Sequence, residues 1–274
     1  MPSFYKMGVQ GPSSPKQGRS RRRDASVRNH MIWASDVASF SPDDLDSLAL
    51  WLKADAGITK DGSNRVSAWA SQVGSYSVTQ GTGSKQPLYV ASQINSLPII
   101  RFLTNDFMQK TSSVFNGDAS LPMTVAVVLK IAAAAAAGTD TQHAFGIGGA
   151  ETQGENALVW TGKADDALAT FKLSSTKLDP TSVSDGDIAV ATTKLLMYEI
   201  SADGMCNLWV DRDKVISNTA IATDGTLSSI ARVGGWGTKA PDMDLGELCV
   251  WQGVIKSDDK QNFFSYINSR WGIL

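Results

Sequence analysis

MDLGELCVWQGVIKSDDKQNFFSYINSRWGI (residues 243–273) joins two apolar patterns within one short segment. Its first part, GELCVWQGVI (246–255), is a short apolar run bounded by glycines, and it reads as a strand. The second part reads as a helix. Phe263, Ile267 and Trp271 recur every four residues with Phe264 beside them, which gives one apolar face. Ser257 stands at the expected N-cap, Asp258 and Asp259 complement the dipole in the first turn, and Gly272 supplies the stop. No other segment reads convincingly as a helix. It is expected to lie as a strap across strands.

Upstream of it, short apolar segments follow one another. They are LALWL (48–52), RVSAWA (65–70), LPIIRF (97–102), MTVAVVLKI (123–131), HAFGIG (143–148), NALVW (156–160), LLMYEI (195–200), CNLWV (206–210) and IARVGG (230–235). RVSAWA and CNLWV alternate at a period of two residues, as half-buried strands do. Turn signals recur between the segments, among them DGSN (61–64), SADG (201–204) and TDGT (223–226). No strand–helix–strand rhythm is visible, so the pattern predicts an all-β antiparallel sandwich. The composition agrees: the chain of 274 residues holds 24 Gly and 8 Trp beside 9 Phe, and 42% of it is hydrophobic. The alanine run in IAAAAAAGTDT (131–141) reads as a strand exit or a short turn in a loop. Cys206 and Cys249 lie far apart in apolar runs and are expected to be buried free thiols. With only His30 and His143 present, a histidine-based zinc site is not expected.

At this point the spacing resembles a known family. LALWLKADAGITKDGSNRVSAWASQVG (48–74) resembles the opening of laminin-G-like, concanavalin A-like jelly-roll domains, where a strand ending in Trp-Leu precedes a DG turn and a V-x-x-W strand. QPLYVASQINSLPIIRF (86–102), followed by NDFM, resembles the family's "P…ING.P.vrFdG" stretch. Ser96 replaces the usual Gly there, and Thr104-Asn105 stands where a Gly-rich turn is common. ARVGGW and the quoted 243–273 segment resemble a closing strand "GdIaEvlvY", a turn and a helix ending "YL..RyG". The resemblance covers about 48–274 and implies a concanavalin A-like jelly roll with a C-terminal helix. The expected organisation is an extended basic arm over 1–40 and the jelly-roll domain over 41–274.

The arm and the body differ in charge. Residues 1–30 carry seven Lys/Arg and one Asp, giving +6, and the remainder carries 18 basic and 26 acidic residues, giving -8. The arm is rich in Gly, Pro, Ser and Arg without sustained periodicity. It also lacks the apolar stretch of a secretory signal, so general export is not expected. No apolar run is long enough to insert in a membrane. Arg19, Arg21, Arg22 and Arg23 could release counterions from nucleic acid, pair with carboxylates of a protein surface, or stay solvated. The acidic body disfavours nucleic acid, so docking on a partner subunit is expected, with Phe4, Tyr5 and Met7 as an apolar plug.

Three chemistries come into question for the body. DMDLGE (242–247) is a D-x-D-x-x-E pattern, similar to the acidic cluster of concanavalin-like glucanases. Retaining glycosidases need two carboxyls about 5–5.5 Å apart. Strand alternation puts Asp242 and Asp244 on one face and Glu247 on the other unless a bulge intervenes, so no catalytic residue is expected. Calcium is the one cofactor the acidic turns would suit, through Asp61, Asn64, Asp211, Asp213, Asp242 or Asp244, but no ligand spacing defines a metal site. Trp160, Trp236 and Tyr76 are the loop-proximal aromatics for glycan contact, whereas Trp51, Trp69, Trp209 and Trp251 sit in strand patterns and are expected in the core.

Domains of the resembled family occur in adhesion proteins, lectin-like modules and structural proteins of bacteriophage particles. With no export signal, the expectation is a non-enzymatic virion protein, a capsid decoration, head-fibre or tail-associated subunit. Its arm would bind other virion proteins and its sandwich could touch host-surface glycans; a homo-oligomer would suit that role. The alternatives are a soluble carbohydrate-binding lectin module and a glycoside hydrolase using Asp244 and Glu247.

Overall fold

The computed structural model describes residues 40–103, 105–110, 122–131, 141–147, 157–162, 167–173, 176–177, 187–188, 191–220, 231–235 and 242–274. In chain order the strands begin with β1 (Leu48–Lys53), β2 (Ile58–Lys60), β3 (Val66–Ala70), β4 (Ser77–Thr79), β5 (Leu88–Ile94) and β6 (Leu97–Phe102). Next come β7 (Phe107–Lys110), β8 (Met123–Ile131), β9 (Thr141–Ile147), β10 (Ala157–Gly162), β11 (Ala167–Leu173) and β12 (Thr176–Lys177). Last are β13 (Asp187–Ile188), β14 (Thr193–Ile200), β15 (Met205–Val210), β16 (Asp213–Ala220), β17 (Ala231–Gly234) and β18 (Met243–Trp251), before the helix α1 (Ser257–Trp271).

These strands make two antiparallel sheets packed as a jelly-roll-like sandwich, the all-β class that the sequence pattern predicts. The first sheet runs β16-β15-β14-β8-β18-β6-β5, with β1 also on β18. The second runs β12-β11-β10-β9-β17-β7-β4-β3-β2, with β13 on β11. Between the sheets lies one apolar core, including Leu50, Leu52, Trp69, Phe102, Met108, Leu129, Phe145, Tyr198 and Leu248. The other face of the first sheet is covered by α1, whose Phe263, Phe264, Ile267 and Trp271 pack on Ile99, Val128, Met197, Trp209, Cys249 and Trp251. Three layers result: sheet, sheet, helix.

This layering explains a feature of the sequence. A strand covered on both faces loses its alternation, because every side chain must be apolar or internally paired. All nine residues of β18 are buried, and so are eight of nine in β8. Edge strand β16 is the opposite case: it is mostly exposed, and its polar sequence DKVISNTA forms no apolar run.

The helix begins one residue earlier than its sequence suggests. Lys256, not Ser257, occupies the N-cap, because the Lys260 N–H already bonds the Lys256 carbonyl at 2.9 Å. Gly272 ends it in the left-handed region at φ 65°, as its type allows. Ile131 closes β8 and Thr141 opens β9, whereas the alanine run between them lies outside the described residues, as does TDGT (223–226). Residues 1–39, and with them the arm's Arg19, Arg21, Arg22, Arg23, Phe4 and Tyr5, also lie outside.

Candidate functional site

Strand β18 carries the acidic pattern, and its local geometry decides what the carboxylates can do. The register against β8 shifts between Leu245 and Glu247, so Gly246 is an extra residue: a bulge. Met243, Leu245, Leu248 and Val250 therefore all face the inter-sheet core, and Glu247, Cys249 and Trp251 face the helix. The bulge is the exception that the alternation argument allowed for, and it removes Glu247 from the face opposite Asp244. The second edge of β18 is divided at the same point. β6 pairs with Met243–Leu245, whereas β1 pairs with Glu247–Trp251.

Neither carboxylate is offered to a ligand. Glu247 is 1% exposed and takes four donors. Its Oε1 accepts from Trp51 Nε1 (2.6 Å) and the Tyr266 hydroxyl (2.8 Å), and its Oε2 accepts from Trp271 Nε1 (2.7 Å) and Arg270 Nε (3.1 Å). Arg270 also bonds Asp55. Burial, then the neighbouring Glu247 charge, push the Tyr266 hydroxyl well above the usual phenol range. Asp244 is 2% exposed and is clasped at both oxygens by Arg101, at 2.7 and 2.9 Å. These are the partners of structural carboxylates, since a catalytic acid needs an oxygen facing its substrate. Glu247 pins the helix and β1 to β18.

The outer face of the second sheet is different. Val78, Met108, Ala231 and Val233 point into the core, so alternation turns Ser77, Thr79, Phe107, Gln109 and Arg232 outward. Register places Gln109 between Thr79 of β4 and Arg232 of β17, and Phe107 opposite Gly234. A groove of about 520 Å³ lies here, lined by Ser77, Thr79, Gln80, Gly81, Thr82, Phe107, Gln109 and Lys110. Its floor is fixed by the Gln80 amide, which donates to the Phe107 carbonyl at 3.1 Å and accepts from the Thr82 N–H at 2.9 Å. Arg232 donates to Gln109 Oε1 at 2.8 Å and packs its guanidinium 4.1 Å from the centre of the Phe107 ring. Lys85 Nζ lies 5.6 Å from the same ring, and Lys110 Nζ lies 4.7 Å from that of Tyr76. Asp106, the residue before Phe107, is 5% exposed and accepts the Leu103 N–H; burial above all raises its carboxyl from the ordinary range.

Of the aromatics expected to meet a glycan, Tyr76 is the one whose side chain is among the described residues, and it lies near this groove. Its ring is half-buried on the core and lies close against Gly74, where a Cβ would come within 2.8 Å of it. The backbone of Trp160 is in β10, opposite Ala169 and Gln142, but its side chain, like the whole of Trp236, is outside the described residues. Trp51, Trp69, Trp209 and Trp251 are all buried. Cys206 and Cys249 are buried free thiols. The acidic turns serve themselves: Asp61 Oδ1 accepts the N–H groups of Ser63 and Arg65, with Asn64 beside it at φ 63°, and Asp211 accepts from Lys194 and the Leu195 N–H. Asp213 is exposed at the start of β16 and Asp242 precedes β18. Among the described residues no three His, Cys, Asp or Glu side chains come together as metal ligands would. No motif points to the groove residues Gln80, Phe107, Gln109 and Lys110; the alternation in FMQK (107–110) is their only signal in the sequence.

No protein-family model and no curated protein matches the sequence. Solved structures do match. The Trypanosoma rangeli sialidase in complex with 2,3-difluorosialic acid, a covalent intermediate, has a TM-score of 0.55 at 12% identity, over 82% of this chain and 34% of that one. The same sialidase with sialic acid gives 0.54 at 12% identity, over 80% and 33%. An arabinofuranosidase complexed with arabinofuranosyl-α-1,2-xylobiose gives 0.53 at 10% identity, over 74% and 50%. The chain thus spans about a third of the sialidase and half of the arabinofuranosidase. At such identities the likeness is one of fold. It overturns the expectation of a non-enzymatic virion structural protein: the solved structures that share this fold are a sialidase and an arabinofuranosidase.

Proposed function

We propose that this chain is the carbohydrate-directed part of a glycoside-processing protein, and that the groove on β4 and β7 receives the sugar. The groove itself carries the reading. It is about 520 Å³, within the size range of small-ligand sites, and it is lined by amides, hydroxyls and one ammonium around an aromatic ring. Such a surface suits a polyhydroxylated ring, whose hydroxyls need many short polar contacts and whose C–H faces need an apolar patch. The laminin-G-like, concanavalin A-like motifs at 48–74, 86–102 and 243–273 agree with a lectin-like sandwich. The fold shared with a sialidase and an arabinofuranosidase points to the same ligand class.

In this reading the chain binds and orients a glycan. A hydrolytic step would draw on carboxylates other than Asp244 and Glu247, whose oxygens are already taken by internal donors. The test is binding of the full chain to a panel of oligosaccharides, paired with a reducing-sugar release assay. Gln109→Leu keeps the side-chain bulk and removes the amide, so it should weaken binding by about tenfold or more. Unchanged binding in that variant would place the sugar elsewhere.

A further inference from the structure

Resting on the carbohydrate reading above, we infer that the groove selects an anionic glycan, one whose sugars carry carboxylates. A neutral sugar presents hydroxyls that both donate and accept, so its sites need acceptors such as carboxylates and amide oxygens as well as donors. Here the lining amide oxygens already accept from internal donors, and the side-chain acceptors that remain are the hydroxyls of Ser77, Thr79 and Thr82. Gln109 Oε1 is occupied by Arg232, which leaves its NH₂ as the group turned to the ligand. The Phe107 carbonyl is taken by Gln80, and Gln80 Oε1 is taken by the Thr82 N–H. None of the lining side chains is a carboxylate.

Two lysines stand beside the groove. Lys85 and Lys110 are held over the rings of Phe107 and Tyr76, and neither makes an ion pair among the described residues. An aromatic ring positions an ammonium without neutralising it, whereas a carboxylate partner would cancel its field. The carboxyl of Asp106, next to Phe107 in the chain, is buried and accepts the Leu103 N–H. A donor-rich, positive groove on a body of charge -8 is complementary to an acidic sugar chain, which the rest of the surface would repel. The assigned contacts are Lys110 Nζ and the Gln109 NH₂ on the carboxylate, with Lys85 at the entrance.

The experiment compares three probes on the full chain by calorimetry: an oligogalacturonate, the same oligomer methyl-esterified, and a polyglutamate of similar charge. Lys85→Gln and Lys110→Gln are both at partly or fully exposed positions, so the fold is not at stake. The expected result is binding of the uronate, about tenfold weaker binding of the ester, and a loss of about five- to tenfold in each variant. Affinity for the uronate should also fall steeply as salt rises. Equal binding of uronate and ester, unaffected by either substitution, overturns the anionic preference while the carbohydrate reading stands. No binding of either sugar overturns both. Polyglutamate binding as tightly as the uronate overturns the sugar requirement and identifies the groove as a carboxylate-peptide site.

Discussion

Glu247 ties three elements of this fold together: its own strand β18, β1 and α1. Both of its oxygens are bonded, to Trp51, Tyr266, Trp271 and Arg270, which belong to the first strand and the last helix. Glu247→Gln replaces one acceptor oxygen by an NH₂ that would face N–H donors, and it leaves Arg270 with Asp55 alone. A loss of about 3–5 kcal/mol in urea-unfolding free energy is expected, the usual cost of breaking a buried ion pair. In the glycan-binding assay, by contrast, the folded fraction should behave as the parent does. The thiols give a second outcome. Burial, with Glu199 nearby, pushes the Cys206 thiol up from 9.0 to about 12, and burial raises Cys249 well above its ordinary value. The unfolded chain would ionise both near 9.0, so the folded state binds more protons between 9.0 and 12. Stability should therefore be insensitive to these groups below pH 9 and fall as pH rises above it, by roughly 1 kcal/mol per pH unit for each thiol. Denaturation at a series of alkaline pH values checks this, with Cys206→Ala showing the shallower slope.

At the scale of the element, the bulge in β18 is where strand and helix meet. Gly246 carries no Cβ, and one placed there would lie 2.7 Å from the Trp271 ring. Gly246→Ala should push the helix off the sheet and cost about 1–3 kcal/mol, read as a lowered thermal midpoint together with changed tryptophan fluorescence. This contact is also where the sequence reading reached its limit. The apolar runs of β6, β8 and β18, the helix stripe of Phe263, Ile267 and Trp271, and the buried tryptophans were all legible, because burial leaves a periodic trace. The bulge was not, since a single glycine inside a strand can mean a bulge, a bend or a close approach. The groove was hidden for another reason. Thr79, Gln109 and Arg232 come from three separate strands and are brought side by side only by register, which no local pattern encodes.

For the whole molecule, the order of strands differs greatly from the order of the chain. β18 lies between β8 on one side and both β1 and β6 on the other, so it bridges residues that precede it by most of the domain's length. A chain stopped after residue 242 should therefore show no cooperative unfolding transition in a calorimetric scan and should be cut rapidly by protease. A fragment with native-like cooperativity would mean that β18 is less central than the pairing implies. The same arrangement bears on how the protein is made. A ribosome delivers the sequence from the N-terminus, and the middle of the first sheet is the last strand to emerge. Until then β1, β6 and β8 present open edges with no neighbour to close them. Such distant pairings slow assembly and expose the nascent chain to self-association. Its yield in a cell should depend on the helpers that shield those edges, and on how quickly translation passes through the codons for residues 243–273.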